Sequence, residues 1–348
     1  MIFWFLGALF FSFAGSRLVM ALARHFDVVD RPASDSRKIH QKPTPLLGGL
    51  AIYSSVVAFT ILLILLNPAM TSGEIGIRQY AGFLLGGLIL MLGGYLDDRY
   101  QLPPRSAILA PLLASAAAVA FGIEISKLTN PFGGVIELAS WQSGILVFAW
   151  LLIMTYTTKF LDGLDGLATG VSSVGALMIL LLSLTAAYFQ PDVAHLSVVI
   201  LGALLGFLAW NFHPASIFLG EGGSTFVGYA VGVLAVISGG KLAIALLVLG
   251  IPLLDAAWVI LRRFAKNGIR ATTRHDRRHL HHRLLDIGWS QPRIVFAYVL
   301  LATLFGLAGL FLQSRDKLLA LGILTVFMAI SAAVLVFRSK NVQASSLP

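Results

Sequence analysis

The chain has 348 residues, 57% of them hydrophobic and only 12% charged, with no cysteine and a formal net charge of +9. A soluble globule carries about twice that charged fraction, so the composition excludes an ordinary soluble domain and predicts an integral membrane protein. The missing thiols exclude disulfides, thiolate metal sites and cysteine nucleophiles. The positive charge requires no nucleic acid, because anionic headgroups of a lipid bilayer or a polyphosphate substrate account for it.

Apolar runs of the roughly 17 to 25 residues needed to cross a bilayer as helices recur at 1–23, 47–66, 79–96, 106–122, 141–158, 169–189, 196–212, 224–240, 242–262, 293–311 and 318–337. The pattern predicts an all-α, polytopic integral membrane protein with about eleven transmembrane helices, or about ten if a short run such as the fourth or eighth does not cross. Residues 1–348 read as a single transmembrane domain. The first run lacks a basic start and a small-residue cleavage site, which reads as a retained span. Arg24, Arg31, Arg37, Lys38, Lys42, Arg99, Arg105, Lys159 and the basic stretch between Arg262 and Arg293 fall on one side, against few on the other. The positive-inside rule then puts the N-terminus outside and these loops in the cytoplasm. On the outer side, residues 124–141 alternate around NPFGG and predict a β-hairpin.

In that topology five polar segments share the cytoplasmic face: RKIHQKPTPLLGG, GGYLDDRYQLPP, FLDGLDGLATG, NFHPASIFLGEGGS and RHDRRHLHHRLLDIG. Each has an ordinary reading. An Asp-Asp pair at a helix end can be a solvated terminus, glycine after aspartate is turn chemistry, and a basic loop anchors to headgroups. Their concurrence points to a site, since carboxylates in a membrane protein are costly. Asp97, Asp98, Asp162, Asp165 and Glu221 offer oxygen ligands only, which suits a hard cation such as magnesium that keeps water and phosphate oxygens in its shell. Helix N-termini near Gly166 and Gly223 would offer N–H groups to a phosphate. His275, His279 and His282 share one helical face, as zinc ligands might be arranged, but Arg274, Arg277, Arg278 and Arg283 around them favour an anion. Asp255 has two readings, a partner for Arg262 or Arg263 and a site residue.

From Arg37 to Gly288 the motifs RKIH, DD, DGLDGLA, N..PA.IFLG.GGS and HLHHRLLDIG, in this order, resemble the polyprenyl-phosphate N-acetylhexosamine-1-phosphate transferases. The resemblance implies transfer of a sugar-1-phosphate from a UDP-N-acetylhexosamine to a membrane polyprenyl (undecaprenyl) phosphate, with release of UMP, in the bacterial inner membrane. It implies Asp97, Asp98 and Asp162 as catalytic carboxylates, and magnesium, or alternatively manganese, held by Glu221, Asp98 and Asp162. It carries over His279, His281 and His282 for substrate binding; His40, Asp165 and Asn211 in the same motifs join them as candidates, with Arg283 as a fork for phosphate oxygens and Lys159 as a phosphate-binding charge. The HLHHR and LLDIG segments look like the GlcNAc branch of cell-envelope polysaccharide synthesis. Another UDP-amino sugar, UDP-MurNAc-pentapeptide and, from a different class, an ion-coupled transporter are the alternatives, and a homodimer is left open. The chain departs from the family pattern with Tyr156 and Lys159 where asparagines are usual, Glu221 in place of an aspartate, and Ala107 in place of a lysine.

Overall fold

The computed structural model describes residues 1–32, 42–130, 133–239, 242–267, 279–312, 315–328 and 330, with side chains omitted over 260–267. The chain folds as a helical bundle. Its helices are α1 (Ile2–His25), α2 (Gly48–Leu66), α3 (Ile77–Tyr100), α4 (Pro104–Ala107), α5 (Leu109–Ala120), α6 (Ser140–Leu161), α7 (Leu167–Ser183), α8 (Pro191–Asn211), α9 (Gly220–Ile237), α10 (Leu242–Val248), α11 (Gly250–Asn267), α12 (Leu280–Asp286) and α13 (Gln291–Phe311). Residues 315–328 are also helical. Two short 3-10 helices, Pro68–Thr71 and Ala186–Tyr188, and two short antiparallel pairs are also present: β1 (Val29–Asp30) with β2 (Thr44–Pro45), and β3 (Lys127–Thr129) with β4 (Val135–Glu137). The second is the expected hairpin, with Leu128 opposite Ile136.

Among the described residues seven helices, α1, α2, α3, α6, α8, α9 and α13, are long and apolar enough to cross a membrane. The run at 106–122 becomes the shorter α4 and α5, and that at 169–189 stops at Ser183 in α7. The run at 242–262 is divided: α10 and α11 meet at 74°. Pro252 has no N–H to return to the carbonyl of Val248, so the helix cannot continue regularly through this point. Large apolar side chains such as Phe10, Leu65, Trp141, Phe296 and Phe311 remain exposed around the outside, as expected of helices solvated by lipid rather than water.

The centre of the bundle is α9, buried along nearly its whole length and packed against α2, α3, α6 and α7. Small residues let these helices approach closely, the usual packing device where lipid supplies little driving force between helices. Gly49 of α2 meets Gly223 of α9, and Gly94 of α3 meets Gly222, so a Cβ at either of Gly49 or Gly94 would collide with backbone. The α6 contact is polar as well: Thr158 Oγ1 donates to the carbonyl of Ser224 at 2.8 Å, beside Gly228. These crossings bring the end of α3, the end of α6, the end of α8 and the start of α9 to one end of the bundle. At the opposite end Asp192, buried at the start of α8, accepts the N–H of Ile75 at 2.7 Å.

Candidate active site

A cavity of about 980 Å³ opens at the gathered helix ends. Asp98, Lys159, Asp162, Asp165, Asn211, Glu221 and His282 all line it, together with Lys42 and Thr44 from the β1–β2 segment. All five polar segments anticipated on one face therefore contribute to one cavity within the described residues. His40, and His275 with its neighbouring arginines Arg274, Arg277 and Arg278, lie outside the described residues.

The acid loop is shaped by its glycines. Helix α6 ends at Leu161, Asp162 leaves helical geometry with ψ 51°, and Gly166 takes φ +77° as the N-cap of α7. That left-handed conformation costs glycine little and other residues more. One oxygen of Asp165 is engaged: its Oδ2 accepts Nδ1 of His213 at 2.8 Å and the N–H of Ala215 at 3.1 Å, tying the loop to the α8–α9 connection. Asp162 faces the cavity, and burial first, then the negative charges of Glu221 and Asp165, push its pKa up to about 7.

Asp98 closes the cavity from α3. Both its oxygens accept the backbone N–H of Glu221, each at 3.1 Å, in the first turn of α9. Helix α9 begins at Gly220, not near residue 224 as its apolar run suggested, and the N–H of Glu221 is bound by Asp98. Asp97, one residue earlier, does not line the cavity: its Oδ1 accepts the N–H of Leu102 at 2.9 Å and secures the left-handed turn at Gln101. Asn211 is buried, accepting from Thr169 at 2.9 Å and donating to the carbonyl of Ile217 at 3.0 Å, so it holds the wall of the site.

Lys159 is ion-paired with Glu221, and its Nζ lies 5.6 Å from the centre of the Tyr156 ring. The three residues that depart from the family pattern near the acid loop, Tyr156, Lys159 and Glu221, are thus neighbours. Among the described residues no group of three or more histidine, aspartate and glutamate side chains is placed to hold a metal ion. Asp98, Asp162 and Glu221 share the cavity without converging on one point. The donor set still fits a hard cation that takes one or two carboxylates and completes its shell with phosphate and water.

The histidines divide. His282 lines the cavity, whereas His279 and His281 stand behind it. His279 is the extended N-cap of α12, with ψ 147°, so the helical face expected for His279 and His282 does not exist. His281 is buried, its ring 5.7 Å from that of His279 and 4.4 Å from that of His282. Desolvation, with the neighbouring imidazoles, holds its pKa well below the usual histidine value. Arg283 sits on α12 outside the cavity lining.

Two contributors were not singled out as site residues from sequence: His213, two residues after Asn211 in a quoted motif, and Gln291, whose Oε1 accepts the N–H of Asp165 at 3.3 Å. Proximity of His213 to the NFHPAS asparagine was the available signal; Gln291 had none.

The profile of glycosyl transferase family 4 matches residues 80–239, which contain the aspartate pair, the acid loop and Glu221. The chain is 32% identical over 327 residues to a probable undecaprenyl-phosphate N-acetylglucosaminyl 1-phosphate transferase of Bacillus subtilis, covering 91% of this chain and 87% of the relative. It is 33% identical over 328 residues to the decaprenyl-phosphate N-acetylglucosaminephosphotransferase of Mycobacterium tuberculosis, covering 86% and 80%. A phospho-N-acetylmuramoyl-pentapeptide-transferase of Moorella thermoacetica is 31% identical over 300 residues, covering 84% and 92%. Similarity of this extent, running through the carboxylates that line the cavity, shows that the chain belongs to glycosyl transferase family 4.

Proposed function

We propose that this protein transfers N-acetylglucosamine-1-phosphate from UDP-GlcNAc to a polyprenyl phosphate in the bacterial plasma membrane, with its site on the cytoplasmic face. The observation that carries this reading is the acid-lined cavity at the lipid-facing bundle's end, with the Lys159–Glu221 pair in its wall. A phosphate oxygen of the acceptor attacks the β-phosphorus of the donor. A new P–O bond forms, the bond from that phosphorus to the bridging oxygen breaks, and UMP leaves. The acceptor phosphate is already largely ionised near neutral pH, so a nearby carboxylate serves chiefly to orient it. Asp98, facing the cavity, suits that role better than Asp97, which is occupied at the helix end.

Magnesium, held by Glu221 with Asp162 or Asp98, would offset the charge that develops on the diphosphate. Lys159 adds a fixed cation to the same wall and orients the diphosphate once Glu221 releases it. His282 and Lys42, also lining the cavity, extend the polar surface available to the donor. The choice of GlcNAc over MurNAc-pentapeptide rests on the HLHHR and LLDIG segments and on the N-acetylglucosaminyl relatives.

The test is UMP release by purified protein given undecaprenyl phosphate, magnesium and a panel of UDP-sugars. UDP-GlcNAc should be preferred. Preference for UDP-MurNAc-pentapeptide would change the donor, and no release with any donor would reject the transferase reading.

A further inference from the structure

Asp255 lies in α11, one turn beyond the break from α10, with its side chain only 10% exposed. A buried carboxylate costs several kcal/mol unless it is paired and hydrogen-bonded. Both oxygens are satisfied by a segment that returns more than twenty residues later. Oδ2 is 2.9 Å from Nδ1 of His279, and Oδ1 accepts the N–H of Leu280 at 3.0 Å. A carboxylate can only accept, so Nδ1 carries the proton and the ring is fixed in orientation. The N–H bond to Leu280 sets where α12 begins, and with it the place of His282 in the cavity.

The contact continues through the rings. His279 stacks on Phe160 of α6 at 5.8 Å and on His281 at 5.7 Å with planes 8° apart. His281 packs against the acid loop, where a Cβ at Gly163 would stand 2.5 Å from its Nε2. One carboxylate on the broken span is thereby connected, through two imidazoles, to the backbone between Asp162 and Asp165.

We infer that Asp255 is a positioning residue for donor binding, acting through His279 and the start of α12 to place His282 and the acid loop. It rests on the donor reading above. The partners seen are His279 and Leu280; the side chains of Arg262 and Arg263, the partners that the sequence suggested, lie outside the described residues.

The test compares wild type, Asp255→Asn, His279→Gln and the double variant as full-length enzyme in detergent. Michaelis constants for UDP-GlcNAc and for undecaprenyl phosphate are measured separately, alongside thermal unfolding. Asparagine keeps the shape and one acceptor but cannot accept from His279 and Leu280 together. Asp255→Asn should raise the UDP-GlcNAc constant about tenfold, comparable to the low end of the loss when an outer-shell partner of a metal-ligating histidine is removed. The acceptor constant and unfolding midpoint should stay close to wild type, and the double variant should be no worse than His279→Gln alone. A donor constant unchanged in Asp255→Asn, or equal losses in both constants together with a lowered midpoint, would overturn the inference. If Asp255→Asn does not fold, His279→Gln carries the test: it leaves Asp255 bound to Leu280 and should raise the donor constant alone, and an unchanged constant would again overturn the inference. A wild type inactive with every donor rejects the functional reading and the inference together; an active wild type with indifferent variants rejects the inference alone.

Discussion

The ammonium of Lys159 and the carboxylate of Glu221 form an ion pair in the wall of the cavity, 26% and 18% exposed, with the Tyr156 ring against the same nitrogen. A partly buried pair is less screened than a surface one, so its two members act as a unit. Lys159→Asn should fold and turn over, but should bind the UDP-sugar more weakly by about 1–2 kcal/mol as a charge-assisted contact is lost. It should also saturate with magnesium at a lower concentration, because Glu221 is released. Lys159→Glu should be far worse, since it sets a carboxylate beside Glu221 and Asp162. Donor constants at low and high salt, with a magnesium titration, check both; three equal sets of constants would remove Lys159 from the site.

Asp162 supplies a pH dependence whose sign follows from its raised pKa of about 7. The unfolded group titrates near 4. Between those values the folded protein holds a proton that the unfolded chain does not, so stability falls as pH rises through the window. Cation binding runs the other way, because the ligand must be ionised. Asp162→Asn should therefore unfold at a higher temperature than wild type at pH 8 and show little gain at pH 4, while losing turnover. Melting curves in metal-free buffer at both pH values check this; a gain at pH 4 equal to that at pH 8 would contradict it.

Gly220 and Asp98 form a third testable pair. Gly220 has φ +73°, and a Cβ there would lie 2.5 Å from Oδ2 of Asp98. Gly220→Ala should cost about 1–3 kcal/mol of stability from backbone strain and displace Asp98 from the N–H of Glu221. Asp98→Asn should keep one of those contacts, remain folded, and slow turnover much more than donor binding. Turnover and donor constants for both variants, with denaturation midpoints, separate strain from chemistry; intact turnover with lost donor affinity in Asp98→Asn would reverse the role given to Asp98.

Gly163 has no room for a side chain beneath His281. Gly163→Ala should impair donor binding and cost about 1–3 kcal/mol from overpacking, and pairing it with His281→Ala should recover part of the loss. Equal defects in the single and double variants would show that the contact with His281 is not the cause.

Much of the site was legible because its chemistry is local. DGLDG marks a glycine-shaped acid loop, and Asp98, Asp162, Asp165, Glu221 and His282 all reach the cavity expected of them. What was not legible depended on partners far apart in the chain. Asp97 and Asp98 are adjacent and chemically identical, yet one faces the cavity and the other closes a helix end, because successive residues on a helix point about 100° apart. His279 and His282 looked like one helical face, but His279 stands in extended geometry before α12, held by an acid twenty-four residues away.

Composition and hydropathy alone determined that this chain is a helical membrane protein: a backbone in lipid must satisfy its own hydrogen bonds, and apolar runs of this length do so as helices. The order of the motifs was enough to identify the family it resembles. The tertiary structure decided which charges meet. Close crossings at Gly49, Gly94 and Gly228 draw α2, α3 and α6 onto α9, and only that packing places Lys159 on Glu221, Asp98 on the N–H of Glu221 and Asp255 on His279. Hydropathy records how much of a residue's surface avoids water; it carries no information on which distant residue will occupy that surface.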